Sequence, residues 1–382
     1  MAHYSTLFEP LAVGRSLKLA NRLVMAPLTT TSGNDDGSFS DAEISYLSKR
    51  AESGIGLVMT PACYCHKSGH SFERQVGCHN DQMMSRLAKC ADGINKFGAA
   101  SFLQIHHGGN AALWKYAHRP PLAPSAVINR RGTSEMPTAM TENDIWMIVE
   151  AFARAAGRAR NAGFTGIELH GANTYLFQQF FSPFTNKRTD KWGGDCRCDR
   201  CDRHAEHESI ELCHRLDNRS RFAQEVIKAV RSEVGPEYPI SYRISPEEAD
   251  PDGYSTHDAI QLLQILVPLG LDIIHVSSWQ YGVGIRNDYP QRSHPTKMIA
   301  DAFTKTPVIG LGGILHPDQA EQVLADGVQL VGLGRALLLD ANWARKVHDG
   351  KINELKLKLN DPEEVWTLEI PEPMKEYSKN RF

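Results

Sequence analysis

The stretch Gly166-Ile-Glu-Leu-His-Gly-Ala-Asn-Thr-Tyr-Leu-Phe-Gln-Gln-Phe-Phe-Ser-Pro-Phe-Thr-Asn-Lys-Arg-Thr-Asp-Lys-Trp-Gly-Gly194 is the most informative part of this 382-residue chain. A short apolar run ends at Leu169, and His170, Asn173 and Tyr175 follow closely. Polar groups that leave the carboxyl end of a buried strand are typical of an active site. Two hydrogen-bond donors and a phenol suit a site that binds a carbonyl oxygen and delivers a proton to the carbon beside it.

Further β-rich runs lie on both sides of this one. Their near-continuous apolar character is typical of strands buried on both faces of a parallel sheet. Amphipathic segments alternate with them: one helix is predicted to begin at Thr141 and Asp144, and another to end at Gly235 and Pro236. The candidate strands are Arg22–Met25, Gly56–Thr60, Ser101–Ile105, Gly166–Leu169, Ile240–Ile244, Ile273–Val276, Pro307–Gly310 and Gln329–Gly332.

Eight strands that alternate with helices allow a closed (β/α)8 barrel or an open doubly wound sheet. No Gly-x-Gly-x-x-Gly follows the first strand, which counts against the open dinucleotide-binding sheet. The sequence therefore predicts an α/β protein with a (β/α)8 TIM barrel. We expect the barrel in residues 1–350, with an inserted Cys/His-rich loop at 195–217, and a C-terminal tail in 351–382.

Polar or glycine residues follow every predicted strand, at the face where barrel enzymes place their chemistry. The glycines after the last two strands would let backbone N–H groups approach phosphate oxygens, and Arg335 adds charge-assisted donors. A phosphate site is therefore predicted there. In strand order these residues are Pro27 and Thr29; Ala62; Gln104; His170, Asn173 and Tyr175; Arg243; Ser277 and Ser278; Gly312 and Gly313; Gly334 and Arg335.

Composition places the chain among soluble globular proteins, with 41% hydrophobic and 23% charged residues. A formal net charge of −3 implies neither a nucleic-acid partner nor a membrane surface. No apolar run approaches the roughly 18 residues that span a bilayer, and the first residues lack the pattern of a signal peptide. We expect a cytoplasmic protein with reduced thiols.

The segment 195–217 holds half of the eight cysteines, Cys196, Cys198, Cys201 and Cys213, together with His204, His207 and His214. Thiolates and imidazoles this dense suit a tetrahedral structural zinc ion. A charged loop without metal is the alternative, because Asp, Arg and Glu are also frequent in it. These four cysteines are therefore weak candidate metal ligands.

Motifs along the chain resemble the Old Yellow Enzyme family of FMN-dependent ene-reductases, from Leu7 to about Val347. The likeness includes Leu7-Phe-Glu-Pro10, Asn21-Arg-Leu-Val-Met-Ala-Pro27, Phe102-Leu-Gln-Ile-His-His-Gly-Gly109, Leu122-Ala-Pro-Ser125, His170-Gly-Ala-Asn-Thr-Tyr175, Asn186-Lys-Arg-Thr-Asp-Lys-Trp-Gly-Gly194 and Asn218-Arg-Ser-Arg-Phe222. Each motif alone is weak, but their shared order is specific.

The resemblance implies a role for each candidate residue. Pro27, Thr29 and Ala62 would line FMN, with Thr29 near its C4 carbonyl; Gln104 would bind the pyrimidine edge and Arg243 would lie by N1 and C2=O. The phosphate cradle would be Gly312, Gly313, Gly334 and Arg335. His170 and Asn173 would bind the oxygen of the substrate, and Tyr175 would donate the proton. His106 and His107 are further candidates for ligand contact.

The function implied is reduction of activated C=C bonds in α,β-unsaturated carbonyl or nitro compounds, with NAD(P)H as co-substrate and ping-pong kinetics. The partner would be a small molecule, and a homo-oligomer is possible in this family. Two alternatives stay open: a single-domain relative of the dienoyl-CoA reductases, and a zinc-binding interaction or stress-sensing protein on a degenerate barrel. Polar residues at every strand exit count against a degenerate barrel. Bound flavin would exclude the zinc-binding interaction or stress-sensing protein, because only the two enzyme hypotheses require flavin.

Overall fold

Eight parallel strands close into a barrel in the computed structural model, which describes residues 4–128, 135–193, 208–285 and 294–379 and only the backbone of 208–215. Each strand pairs in parallel with the next along the chain, and the last pairs with the first. The predicted TIM barrel is confirmed. Its strands are β1 (Leu23–Met25), β2 (Leu57–Met59), β3 (Ala100–His106), β4 (Gly166–Gly171), β5 (Ile240–Ile244), β6 (Ile273–Val276), β7 (Val308–Leu311) and β8 (Leu330–Leu333).

The helices of the described residues surround this barrel. The predicted helix start at Thr141 is present: its side chain accepts from the N–H of Asp144, and Asp144 bonds back to the N–H of Thr141. The helices are α1 (Asp41–Glu52), α2 (Met84–Asn95), α3 (Trp114–Ala117), α4 (Glu142–Asn161), α5 (Leu176–Phe181), α6 (Glu208–Val234), α7 (Thr256–Leu266), α8 (Pro295–Ala302), α9 (Pro317–Ala325), α10 (Arg335–Leu339), α11 (Trp343–His348) and α12 (Glu372–Ser378).

Two apolar cores stabilise the architecture. A large one lies between the strands and the helices. A smaller one fills the barrel, and it includes Phe102, Ile273 and Leu330 together with Val13 and Leu19. The last two come from an antiparallel hairpin, Leu11–Val13 with Leu17–Leu19, which the strand analysis did not predict. This hairpin packs on the first residues of the strands, so the amino-terminal end of the barrel is closed and the site lies at the other end.

The predicted inserted loop differs from the structure in its second half. Residues 194–207, and with them Cys196, Cys198 and Cys201, lie outside the described residues, and only the backbone of Cys213 is described. Helix α6 begins at Glu208, so residues 208–217 are helical and the loop prediction is wrong there. Glu and Leu each occur twice in this part and favour a helix.

The segment expected to be a C-terminal tail packs on the barrel up to Lys379. Val365, Leu368, Ile370 and Met374 are buried in the large core. Short 3-10 turns at Ile352–Glu354 and Pro362–Thr367 precede α12. No helix of the described residues is long and apolar enough to cross a bilayer.

Candidate active site

A cavity of about 1050 Å³ opens at the carboxyl ends of the strands. Residues from all eight strand exits contribute to its wall, as the sequence predicted. The candidate residues that line it are Pro27, Thr29, Ala62, Gln104, His170, Asn173, Tyr175, Arg243, Gly312, Gly313, Gly334 and Arg335. The sequence-derived set is therefore brought together around one space.

The register of the strands explains why these side chains meet. Glu168 on β4 lies opposite Gln104 on β3 and Ser241 on β5. Two residues further along, His170 lies opposite Arg243. Because side chains alternate across a strand, residues two apart share a face. Glu168 and His170 thus occupy successive layers of the barrel interior, with His170 nearer the cavity.

The layer beneath the cavity is a buried polar network centred on Glu168. Its carboxylate accepts hydrogen bonds from Gln104 Nε2 at 2.8 Å, Ser241 Oγ at 2.9 Å and His275 Nδ1 at 2.7 Å. Burial alone would raise the pKa of this carboxyl, but the interaction with the His275 imidazole, the charge of Arg243 and the hydrogen bond from Ser241 outweigh burial and lower it. Burial lowers the pKa of His275, and Glu168 opposes that shift. Glu168 is therefore an ionised acceptor, and His275 directs its Nδ1–H at it.

Arg243 brings a positive charge to the floor of the cavity. Its side chain is buried, and burial lowers the pKa of the guanidinium while Glu168 and Tyr175 oppose that shift. Its Nε is buried without a hydrogen-bond partner among the described residues. A buried donor without a partner is costly. This donor therefore fits a ligand that brings an acceptor or developing negative charge into the cavity.

His170 is a buried, neutral imidazole at the end of β4. Burial lowers its pKa well below the ordinary value, and the charge of Arg243 adds to that shift. Its Nδ1 has no partner among the described residues. A neutral imidazole donates one hydrogen bond and accepts another. His170 can therefore bind a carbonyl oxygen without placing a cation next to Arg243.

Asn173 lies on a tight turn directly after β4. Asn173 and Thr174 both adopt left-handed conformations, with φ of 58° and 64°. Such conformations are tolerated by Asn but are unfavourable for Thr, and they cluster at functional sites. Ser245 Oγ accepts the backbone N–H of Asn173 at 2.9 Å, and Ser277 Oγ donates to Asn173 Oδ1 at 3.2 Å. Because its oxygen is engaged, the carboxamide has its NH₂ group to offer to a ligand.

Tyr175 is surrounded by aromatic rings on the wall of the cavity. Its ring meets His106 edge to face at 4.4 Å, His170 at 5.0 Å and Phe72 at 6.1 Å between centroids. Such contacts hold a ring in one orientation. His106 is fully buried behind Tyr175, and burial lowers its pKa to about 3. His106 and His107 are not among the lining residues, so neither contacts the cavity directly.

Two glutamines that the sequence analysis missed hold the turn between β4 and α5. Gln178 Oε1 accepts the N–H of Thr174, and Gln179 Nε2 donates to the carbonyl of Thr174. Gln178 Nε2 also donates to Glu248, a partly buried carboxyl on the loop after β5. These contacts span elements that are distant in sequence, so no periodic signal reveals them. The left-handed turn is therefore fixed from both sides.

Gly313 after β7 and Gly334 after β8 leave open space beside Arg335. Gly312 and Gly313 have φ of 136° and 67°, values that favour glycine. A Cβ on Gly313 would meet only Arg335 Nη2, at 3.6 Å, and one on Gly334 only Leu28, also at 3.6 Å. The wall thus has free space lined by backbone and a guanidinium. This arrangement fits a phosphate group.

Another part of the wall comes from a segment that the sequence did not assign to the site. Met374, Tyr377 and Ser378 of α12 line the cavity. Thr31 Oγ1 donates to the carbonyl of Pro373 at 3.3 Å and joins the loop after β1 to this segment. At the mouth, the apolar side chains Phe72, Phe184 and Trp279 are present. Among the residues whose side chains are described, no cluster of His, Cys, Asp or Glu could hold a metal ion.

A polar cavity at the carboxyl ends of the strands of a closed (β/α)8 barrel is typical of a barrel enzyme. The family model described as "NADH:flavin oxidoreductase / NADH oxidase family" matches residues 6–354. The chain belongs to this family, the Old Yellow Enzyme family, and is an enzyme of the oxidoreductase class.

Relatives of different lengths align with almost the whole chain. A probable NADH-dependent flavin oxidoreductase of Bacillus subtilis is 33% identical over 375 residues, with 97% of this chain and 95% of the relative covered. NADH:fumarate oxidoreductase of Klebsiella pneumoniae is 33% identical over 390 residues, with 99% of this chain but only 39% of the relative covered. A structure of morphinone reductase in complex with tetrahydroNAD superposes with a TM-score of 0.75 at 26% identity, with 93% and 92% coverage.

Proposed function

We propose that the protein binds FMN and uses NAD(P)H to reduce the activated C=C bond of α,β-unsaturated carbonyl or nitro compounds. The observation that carries this proposal is the meeting of His170, Asn173 and Tyr175 above Arg243 and Gln104 in one cavity. Two neutral hydrogen-bond donors beside a phenol suit the reduction of an electron-poor alkene. They suit the transfer of a carboxyl or phosphoryl group less well. The cavity, at about 1050 Å³, has room for a flavin with a small molecule beside it.

The residues present fit FMN. Gly312, Gly313, Gly334 and Arg335 would hold its phosphate, and the unpartnered Nε of Arg243 would face the pyrimidine edge together with Gln104. Pro27, Thr29 and Ala62 would line the ring system, with Thr29 bonding near the C4 carbonyl. When bound, FMN supplies a two-electron carrier that accepts and returns hydride.

His170 and Asn173 would orient the substrate. Each would donate a hydrogen bond to its carbonyl or nitro oxygen, where negative charge develops as the double bond is reduced. A preorganised donor of this kind typically contributes about 3 kcal/mol to the stability of the transition state. Tyr175 would then transfer its hydroxyl proton to the α carbon, and a general-acid step contributes about 10²–10⁴ in rate.

One cavity serves both half-reactions in this proposal, because His170 and Asn173 lie over the same space that a nicotinamide would enter. The nicotinamide must leave before the alkene binds. Ping-pong kinetics follow from that exclusion, with parallel lines in double-reciprocal plots at several NAD(P)H concentrations.

The His170→Ala/Asn173→Ala double variant tests the assignment. We expect yellow protein with FMN bound at one equivalent, and turnover of cyclohexenone or a nitroalkene lowered by at least about 10³. Stopped-flow absorbance separates the two half-reactions. The exposed His348, with a side chain 64% accessible, gives a control in His348→Ala that should behave as wild type.

Near-normal alkene turnover in the double variant would overturn the roles of His170 and Asn173. Wild-type protein that is colourless and does not take up FMN would overturn the proposed function as a whole. Two relatives of this chain are NADH:fumarate oxidoreductase and NADH:acrylate oxidoreductase of Vibrio harveyi, of which it spans 39% and 35%. The substrate panel should therefore contain fumarate and acrylate beside enones, maleimides and nitroalkenes. The cytoplasmic location and a homo-oligomeric state stay predictions.

A further inference from the structure

Glu168 lies directly beneath the cavity without lining it, and no role has been given to it so far. We propose that Glu168 is a positioning residue: it turns the carboxamide oxygen of Gln104 toward the flavin and places a negative charge below Arg243. This inference rests on the proposed FMN site, and it concerns how the site sets cofactor affinity and redox potential.

Glu168 joins three strands of the barrel. Its side chain is wholly buried in the barrel, and its two oxygens accept from Gln104, Ser241 and His275 at 2.7 to 2.9 Å. These donors come from β3 and β5, which flank β4, and from β6 beyond β5. Burial of a charge is unfavourable unless it is fully bonded, and these three donors meet that condition.

The hydrogen bond from Gln104 decides the orientation of its carboxamide. A glutamine side chain has an NH₂ donor at one position and an oxygen acceptor at the other. The NH₂ group is engaged by Glu168 at 2.8 Å, so the oxygen is the group that can turn to the cavity that Gln104 lines. The carboxylate beneath it imposes this choice, because a carboxylate accepts hydrogen bonds and never donates them.

The acceptor so presented matches one edge of a flavin. The pyrimidine ring has an N3–H donor between two carbonyl oxygens, and Gln104 would accept that N–H. The opposite arrangement holds at Asn173, whose oxygen is engaged by Ser277 and whose NH₂ group is left for a substrate oxygen. The two carboxamides of the site are thus fixed in opposite senses by residues outside the reacting groups.

Charge gives Glu168 a second effect. The charge of Arg243, on the neighbouring strand β5, stabilises Glu168, while that of Glu168 raises the pKa of Arg243. Negative charge added to a flavin on reduction would be attracted by Arg243 and repelled by Glu168. Glu168 therefore reduces the net positive field at the site. Its loss should make the bound flavin easier to reduce.

The Glu168→Gln variant of the full chain tests both effects. We expect the dissociation constant for FMN, measured by fluorescence titration of apoprotein, to rise about tenfold, because the new side chain no longer dictates how Gln104 is turned. The midpoint potential of the bound flavin, measured by equilibration with reference dyes, should shift to more positive values. Unchanged affinity and potential, with FMN bound by wild type, would overturn the inference while the proposed function stands.

A double-mutant cycle with Gln104→Ala tests whether Glu168 acts through Gln104. The FMN affinity of Glu168→Gln/Gln104→Ala should equal that of Gln104→Ala within about threefold, while the positive shift of potential persists. Fully additive losses of affinity would contradict a positioning role. These effects can be measured only if the wild-type protein binds FMN. If the wild-type protein binds no FMN, the proposed function itself fails.

Asp272→Asn is a matched control. Asp272 is a carboxylate on the same barrel that accepts from Arg231 at 3.0 Å and from the N–H of Ile240, but at the amino-terminal end of the strands. Its neutralisation should leave FMN affinity and potential unchanged; equal shifts in both variants would show a general charge effect and overturn the inference. Ser241→Ala is the variant to use if Glu168→Gln does not fold, because it removes one donor to the same carboxylate. We expect FMN affinity to be about threefold weaker in Ser241→Ala. Wild-type affinity in that variant would overturn the inference.

Discussion

At the scale of single residues, the site depends on side chains that fix the orientation of other side chains. Asn173 illustrates this best, because an amide can present either a donor or an acceptor to a substrate. Ser277 holds its oxygen at 3.2 Å, and Ser245 holds its backbone N–H at 2.9 Å. The donor that the proposed substrate needs is thus selected by the residue at the exit of β6.

Ser277→Ala should weaken substrate binding and leave flavin reduction unaffected. Without the hydroxyl, the Asn173 carboxamide loses a hydrogen bond typically worth about 1 kcal/mol and rotates more freely. We expect KM for an enone to rise about fivefold, with the rate of reduction by NAD(P)H unchanged in stopped-flow experiments. Ser48→Ala is the control, because Ser48 only donates to the carbonyl of Ile44 on α1. A wild-type KM in Ser277→Ala would contradict this account of Asn173.

Sequence reasoning found the residues that line the cavity but missed those that orient them. His170, Asn173 and Tyr175 follow one strand closely, and the glycines follow two others, so position along the chain reveals them. Glu168, Gln178 and Gln179 act through partners 64 to 107 residues away or through backbone groups of the turn. Such contacts are set by strand register and leave no local pattern in the sequence.

At the scale of elements, helix α1 supports the loop that follows β1. Ser40 caps this helix by accepting the N–H of Glu43, and Arg50 lies near its end. Glu43 is wholly buried and accepts from the hydroxyl of Thr30, next to the cavity-lining Thr29. Its second oxygen has no partner among the described residues. Burial raises the pKa of Glu43 to about 7, so this helix favours a protonated carboxyl.

Glu43 should make stability decrease as the pH rises. Its folded pKa of about 7 is above the ordinary value of 4.5, so its contribution is complete below pH 4.5 and is lost as the pH rises through 7. The Glu43→Gln variant has a neutral carboxamide at this position, which does not titrate. We therefore expect its free energy of unfolding, relative to wild type, to increase by roughly 3 kcal/mol between pH 4.5 and pH 8. Urea unfolding at both pH values measures this.

Glu52→Gln on the same helix is the control for this pH dependence. Glu52 is 51% exposed and pairs with Lys49 at the surface, where an ion pair contributes roughly 0–1 kcal/mol. Its difference from wild type should be nearly the same at both pH values. If Glu43→Gln and Glu52→Gln gave the same small pH dependence, the buried carboxyl of Glu43 would be ionised throughout and the interpretation wrong.

Strands and helices were predictable from the sequence where a periodic pattern of apolar residues identifies them. All eight barrel strands and α4 were found, since strands buried on both faces and a capped amphipathic helix have clear signals. The hairpin Leu11–Val13 with Leu17–Leu19 was missed because three-residue strands are too short to show alternation. The start of α6 at Glu208 was missed because the cysteines and charges before it favoured a loop.

At the scale of the whole molecule, the carboxyl-terminal segment completes both the core and the cavity. Residues such as Val365 and Met374 are buried against the barrel, and Tyr377 reaches the cavity wall. Short 3-10 turns have no apolar period, so the sequence indicated a tail. Arg50 holds the segment in place: its guanidinium donates to the carbonyls of Leu337 at 3.0 Å and Glu369 at 2.6 Å.

Arg50→Ala should detach this segment and destabilise the protein. Arg50 is wholly buried over the ring of Tyr46, so its loss leaves buried carbonyls without donors and a cavity. We expect the free energy of unfolding to fall by roughly 3–5 kcal/mol, and limited proteolysis to cleave between residues 355 and 370 before the barrel is cut. Arg15→Ala is the control, because Arg15 is 70% exposed and its pair with Glu237 contributes little. If Arg50→Ala instead lost stability with the segment still protected from protease, Arg50 would support only α1, and the segment would be held by its apolar contacts alone.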